Sequence, residues 1–266
     1  MDQGNLHMKK TPKYLTHYTT INTLELILKN KTIKYNRLDL VDDLMESKTL
    51  IDEAYSKYCF ISCWTKSDSE NLALWKFYSE DFNGVCLKLP FMPFMSSDDK
   101  GNKMSYEDYR KLYSSGEHVG FHLEGYDVFP DNYVLQYYHP SDQNGIDGLF
   151  SEIKYEKDYS IRKINPIVNK NDRVHFLHDT FGRIKDIDWK FQNEFRYILR
   201  IYLRDHLDGI DELKYEEIER VYRKNSVDIE NIYISLSELA LSKGTIIIGP
   251  KCDDNEREKI NEIKNT

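Results

Sequence analysis

Glu194-Phe195-Arg196-Tyr197-Ile198-Leu199-Arg200-Ile201-Tyr202-Leu203 is the most legible stretch of the chain. Phe195, Tyr197, Leu199, Ile201 and Leu203 alternate with Glu194, Arg196, Ile198, Arg200 and Tyr202. A period of two marks a strand with two unlike faces. The first set is expected to face a core. The second, extended back to Gln192, sets a carboxylate between an amide and guanidinium groups on an otherwise apolar strand. That makes Gln192, Glu194 and Arg196 a candidate site. The simpler alternative is a solvated face with an exposed Glu194–Arg196 pair, which is worth little.

Working outward, short strands are expected at Leu15 to Tyr18, Thr32 to Tyr35, Cys59 to Trp64, Val85 to Leu89, Ile153 to Tyr155, Ile232 to Ile234 and Thr245 to Ile248. Helical spacing is read in Ile21, Leu24, Ile27 and Leu28, with Asn22 and Glu25 as a capping box. It is read again in Ser69 to Glu80, and in Val174, Leu177, Phe181 and Ile184. A helix carrying Leu44, Ile51 and Ala54 is expected after Asp42 or Asp43, and a last one, with Ile260 and Ile263, after Asp254. Strands and helices mix without strict alternation, so the fold class is α+β. Residues 91–150 break the rhythm with three prolines, just after Pro90, and seven tyrosines, and read as an insertion of loops and short helices within a single domain spanning 11–266. Met1 to His7 reads as a polar lead-in, with Met8 as a candidate native start, and the fold is read from residue 11 onward.

The chain has 266 residues, and its 37 basic and 45 acidic residues leave a net charge of −8. With 40% hydrophobic residues it can bury a real core, which excludes wholesale disorder. The charge argues against a broad basic nucleic-acid surface. No apolar run is long enough to span a membrane and no secretory signal is read, so a cytoplasmic protein is expected. Four cysteines do not make a disulfide scaffold. Aromatic content is high, with 20 Tyr, 12 Phe and 3 Trp.

Three further constellations bear on chemistry. His17 and Thr19, two apart on an extended segment, offer an imidazole and a hydroxyl on one side. Against that stands a His that merely satisfies a backbone carbonyl. Trp75-Lys76-Phe77-Tyr78, after Ser62-Cys63-Trp64-Thr65, offers rings that can stack on a flat cationic ring, or simply pack a helix on a sheet. Metal is not expected. Cys59 and Cys63 lack a second cysteine pair, and His118/His122 and His175/His178 lack the adjacent Glu of a zinc protease. Phosphate-loop, serine-hydrolase and kinase signatures are absent.

The order of residues resembles the uncharacterised bacterial family known as domain of unknown function 2971. The matching pieces are Leu15 to Thr20, Ile27 to Lys31, Asp42-Asp43 with Glu46, Ser62 to Thr65, Asn71 to Tyr78, Gly84 to Leu87, Lys185, Trp189, Glu194 to Arg196 and Ile246 to Lys251. The usual Asn-Asp-Pro stands here as Val41-Asp42-Asp43, a departure that weakens any role for that loop. No motif in 91–150 matches. This layout is in turn similar to the ADP-ribosyltransferase superfamily, especially its His-Tyr-Glu branch. That similarity implies a split, mainly antiparallel β-sheet core with flanking helices. It implies NAD as substrate, His17 and Thr19 on its ribose and carboxamide, and Tyr78 (or Trp64 or Trp75) stacked on the nicotinamide. Glu194, kept ionised by Arg196, would stabilise the developing positive charge, and Gln192 would touch the acceptor.

The implied activity is an NAD-dependent ADP-ribosyltransferase acting on a single-stranded nucleic acid, a nucleotide or a protein, as in a toxin or anti-phage effector. An NAD glycohydrolase and a catalytically inert binding or regulatory domain are the alternatives, the last using the Tyr-rich 91–150 segment as a protein-partner surface. The enzymatic reading expects His17, Tyr78 and Glu194 to line one cleft, with Glu194 facing His17. It also expects Glu194→Ala to abolish turnover at little cost in stability.

Overall fold

The computed structural model describes residues 11–66, 69–115, 117, 120–125, 133–135, 149–157, 163–170, 173–176, 182–203, 215–224 and 227–264. Its centre is a nine-stranded sheet. In chain order the strands are β1 (Tyr14–Thr19), β2 (Thr32–Arg37), β3 (Cys59–Thr65), β4 (Val85–Pro90), β5 (Tyr133–Leu135), β6 (Phe150–Glu152), β7 (Glu194–Leu203), β8 (Asn231–Ser235) and β9 (Thr245–Ile248). Their spatial order is β8-β2-β3-β1-β4-β9, and β7 lies beside β3 and pairs also with β5 and β6. Every pairing in this sheet is antiparallel. A parallel pair, Ile184–Asp186 with Lys154–Glu156, lies outside it. The fold is α+β with a mainly antiparallel open sheet.

The sheet is divided along one seam. β7 covers one edge of β3 from Cys59 to Thr65. The other edge is shared: β2 takes Phe60 and Ile61, whereas β1 takes Thr65 alone, opposite Thr16. β1 then leaves β3 and pairs along its whole length with β4. Helix α1 (Ile21–Asn30) carries the chain from β1 to β2 across this divergence. Its N-cap is Thr20, whose hydroxyl accepts from the Thr23 amide, in place of the expected box at Asn22 and Glu25. A cap oxygen must sit one residue before the first helical turn, and Ile21 is already in it.

Helix α2 (Leu72–Tyr78) covers the β1/β4 half. Asn71 caps it, accepting from the Ala73 and Leu74 amides. Leu74 and Trp75 bury against Tyr18 and Cys86, forming a small core apart from the main one. The helix ends in a left-handed turn in which Glu80, Asp81 and Phe82 all have positive φ, at 49°, 54° and 77°. The Asp81 carboxylate, which accepts from Lys76 and Lys251, ties this turn down. Gly84 closes it, because a Cβ there would lie 2.3 Å from the Thr19 carbonyl oxygen.

Two expected helices are not found among the described residues. Residues 41–58 form a loop with two 3₁₀ turns, Ser47–Thr49 and Glu53–Tyr58. Asp43 turns its carboxylate to the Met45 amide, and Asp52 caps the second turn. Local carboxylate-to-amide bonds of this kind favour turns over a continued helix. Val174 lies in a hairpin, Arg173–Phe176 with Ile167–Lys170, and Ile184 in a short strand. Gly182, at φ 75°, interrupts any helix running to Ile184. Leu177 and Phe181 lie outside the described residues. The last helix, α6 (Asp254–Lys264), is capped by Asp253 and Glu256, each accepting from the other's amide, with Asp254 already inside it. The remaining helices among the described residues are α3 (Tyr106–Ser114), α4 (Tyr215–Lys224) and α5 (Glu238–Ser242).

The 91–150 segment is not merely an appendage. Phe94, Met104, Tyr109, Phe121, Leu123 and Leu149 join the main core. Tyr126, Tyr137 and Tyr138 lie outside the described residues, as do the side chains of Tyr113 and Tyr133. No helix among the described residues is long and apolar enough to cross a membrane.

Trp75 has no exposed surface, and its indole N–H donates to Glu70 over 2.9 Å. Truncating a buried Trp to Ala costs about 3–5 kcal/mol. Trp75→Ala is expected to lower the urea-unfolding free energy by that amount, whatever ligand the protein binds.

Candidate functional site

The β3–β7 register sets Glu194 opposite Thr65 and Arg196 opposite Cys63, so these four side chains share a face. The turn before β7, Ile187–Gln192, is capped by Asp186 and closes at Asn193, which is left-handed at φ 43°. That reversal brings Gln192 and Glu194 to the same cation. Lys185 donates to the Gln192 side-chain oxygen Oε1 over 2.7 Å and to Glu194 Oε2 over 2.9 Å. Arg196 Nε donates to Glu194 Oε1 over 2.5 Å. The far side of the same guanidinium grips Glu46 through both Nη atoms, at 2.5 and 2.6 Å, and reaches the Gly182 carbonyl at 3.0 Å.

The result is a buried quartet of two carboxylates and two cations. Arg196 is completely buried and Glu194 is 4% exposed. From Glu194 to Ile201 both faces of β7 are therefore buried, which excludes the solvated-face alternative there. A polar chain continues outward from the quartet. Gln192 Nε2 donates to the Tyr78 hydroxyl over 2.7 Å, and that hydroxyl lies against the exposed Asp42 carboxylate. The Glu194 amide donates to the Tyr155 hydroxyl over 2.8 Å.

Charge states follow from this geometry. Burial pushes the Glu194 carboxyl up, but Arg196 and Lys185 beside it pull further the other way and hold it at about 2. Glu46 goes in the opposite direction, because burial outweighs the pull of Arg196 and raises it. Arg196 is held well above its usual value, since its two carboxylates more than offset the effect of burial. Burial, with Asp42 next to it, raises the Tyr78 hydroxyl. Glu194 is thus an anion at any working pH. Above it lies the exposed Cys63 thiol, which the surrounding protein and Glu194 push well above its usual value.

His17 reaches this place from the other side of the sheet. Its ring packs on Trp64, with centroids 5.1 Å apart, and Trp64 alternates with Cys63 along β3. Its Nδ1 lies 2.9 Å from the Cys63 carbonyl oxygen, filling the seam where β1 has left β3. A carbonyl only accepts, so Nδ1 carries the proton and Nε2 is an acceptor. Burial lowers the His17 pKa more than the carbonyl bond raises it, which favours the neutral ring. His17 and Glu194 therefore meet at the seam but do not face each other across one cleft, because β3 lies between them.

The other expected residues divide. Tyr78 is half-buried and joined to Gln192. Thr19 is buried, paired with Val85. Trp64 sits in the main core and donates its indole N–H to Ser62, and Trp75 is sealed beneath α2. Neither tryptophan has a face free for a stacked ring. Cys59 is buried and Cys63 exposed, and no cluster of three or more His, Cys, Asp or Glu able to hold a metal occurs among the described residues. His118 and His178 lie outside them.

Glu46 and Asp42 are the members that reasoning from strand periodicity missed. They come from the very loop whose sequence departure argued against it. Glu46 stands in no periodic pattern, and only its place among the family-like pieces, together with Lys185, pointed to it.

Residues 74–197 match the family model described as "Protein of unknown function (DUF2971)". The matched span takes in Tyr78, Lys185, Gln192, Glu194 and Arg196, together with the whole of 91–150. It leaves out His17, Asp42 and Glu46. No curated protein and no solved structure matches the chain.

Two outcomes follow from the quartet. Removing one partner of a buried ion pair costs about 3–5 kcal/mol. Glu194→Ala, expected from sequence to be nearly neutral, should destabilise the protein by that amount in urea unfolding, because it strands Lys185 and Arg196. The second concerns pH. Glu194's folded value of about 2 lies below its ordinary 4.5. Its contribution is thus complete above pH 4.5 and is lost as pH falls toward about 2. The stability difference between wild type and Glu194→Gln should be flat above pH 4.5 and shrink steadily below it.

Proposed function

We propose that this protein is an NAD-dependent ADP-ribosyltransferase whose reaction takes place at the seam between β1 and β3. One observation carries the reading. At the place where the sheet parts, an ionised Glu194 and a half-buried Tyr78 are linked through Gln192 on one face of β3, and a neutral His17 borders the same seam from the other face. A split sheet with these three residue types is what the resemblance implied.

The chemistry would run as follows. NAD enters on the Glu194 face, and His17, on the far face, positions the Cys63 segment through its Nδ1–H on the Cys63 carbonyl. The Tyr78 ring packs on the nicotinamide. As the nicotinamide–ribose bond breaks, nicotinamide leaves as the neutral base with the bonding pair, positive charge grows at the anomeric carbon, and the acceptor's nucleophile bonds there and loses its proton to water. An anion already in place stabilises that charge without reorganisation. Glu194 is that anion, and displacement of the Cys63 side chain gives it access. Lys185 and Arg196 hold the carboxylate in position. Glu46 neutralises the far side of Arg196, so that Glu194 is not fully quenched by two cations. Gln192, bonded to both Lys185 and Tyr78, borders the acceptor side.

A second reading, an inert domain that keeps the fold, is favoured by a different observation. Both Glu194 oxygens are already engaged by cations. Incubation with NAD labelled in its adenylate, with and without cell lysate, separates the readings. The transferase predicts nicotinamide release with label passed to an acceptor, and loss of both in folded Glu194→Gln. Free ADP-ribose without acceptor would instead mean a glycohydrolase. No nicotinamide release, with no heat of NAD binding in calorimetry, would establish the inert domain.

A further inference from the structure

An aromatic lip borders the polar chain, and none of the chemistry above uses it. Phe77 is 67% exposed and Phe191 38% exposed, and their rings lie 6.0 Å apart. Trp189 stacks on Phe191 at 6.1 Å, and the Lys185 ammonium lies 4.9 Å from the Trp189 ring centre. The lip is fixed, because Asn71 at the start of α2 donates through its side-chain amide to the Phe191 carbonyl over 2.5 Å. Each ring neighbours a residue of the polar chain: Phe77 precedes Tyr78 and Phe191 precedes Gln192. Exposed, contiguous aromatic rings of this kind mark interaction sites, where aromatic residues are enriched.

The rim identifies the partner. Exposed Asp188 and half-exposed Asp186 belong to the turn that carries Trp189 and Phe191, exposed Asp42 lies against the Tyr78 hydroxyl, and exposed Glu70, one residue before Asn71, accepts from the Trp75 indole. Lys190 is exposed among them, whereas Lys76 is held by Asp81 and Lys185 is spent inside the quartet. The surface is therefore apolar at its centre and acidic at its edge. Phosphates would be repelled by it, and a strand of nucleic acid would find stacking rings but few cations. A segment bearing Lys or Arg beside apolar side chains would satisfy both parts, with its cations on the rim carboxylates and over the rings.

We propose that the Phe77–Phe191–Trp189 lip is the docking surface for a basic, partly apolar segment of a partner protein. That this segment carries the acceptor rests on the transferase reading, but its docking does not.

The test uses the unaltered full chain without NAD, so that its outcome is independent of catalysis. Fluorescence anisotropy would be measured with four probes: a labelled peptide alternating Arg and Leu, one alternating Arg and Ser, one alternating Glu and Leu, and a thymidine oligonucleotide. The Arg/Leu peptide is expected to bind at least tenfold more tightly than the other three. The Phe77→Ala/Phe191→Ala variant, with its melting profile checked, should lose at least tenfold in that affinity. Asp188→Lys should lose affinity and flatten its salt dependence. Preferential binding of the oligonucleotide would overturn the proposal, as would equal binding of the Arg/Ser peptide or no effect of the aromatic variant. So would sedimentation showing a dimer that the same aromatic variant dissolves, since the lip would then be covered by a second copy. Absence of nicotinamide release would overturn the transferase alone.

Discussion

The Arg196 guanidinium holds together parts of the chain that have no other reason to meet. It sits on β7, grips Glu46 from the 41–46 loop, takes the Gly182 carbonyl from the segment before β7, and braces Glu194 on its own strand. A completely buried guanidinium is tolerable only when its donors are met, and it has the fork geometry to meet carboxylates on two sides at once. Gln192, Lys185 and Tyr78 then find their places around it. Polar networks of this sort gain little in net stability over an apolar core of equal volume. What this one supplies is position, since each member has its partner only in one arrangement.

The seam gives that arrangement its setting. Continuous pairing between β1 and β3 would have closed the middle of the sheet. Instead one residue pair, Thr16 with Thr65, and the His17 ring stand in for a ladder. The short helix α2, ending in three successive left-handed residues, then delivers Tyr78 to the same place. Backbone held in sparsely populated regions tends to occur where position matters more than ease.

Much of the frame was legible in the residues. The strands from β1 to β4 and from β7 to β9 announce themselves through alternation and turn chemistry, because burial on one or both faces leaves a local trace. The 41–58 loop and the 174–184 stretch did not. Apolar residues there fall at helical intervals by composition, while Asp43, Asp52 and Gly182 decide the backbone locally. At the site, Glu194, Arg196 and Gln192 could be read from their strand, and Tyr78 from its helix. Glu46 could not, because a loop carboxylate that pairs 150 residues away leaves no pattern near itself. The tyrosine excess also finds a physical account in part. Tyr18, Tyr155 and Tyr197 bury rings and use their hydroxyls to accept backbone amides of Asn71, Glu194 and Met92. Tyrosine here completes hydrogen bonding at strand ends and loop entries.

The quartet has a bearing on how such a chain can change over time. Its two positive and two negative members cancel, and water is excluded from all four. Altering any one of them leaves an odd charge with nowhere to discharge, so single-step routes out of the arrangement pass through unstable intermediates. A lineage carrying this network can keep it whole, or replace opposite charges together in one stroke. A change at Glu46 therefore calls for a compensating change at Arg196, although 150 residues of chain separate them.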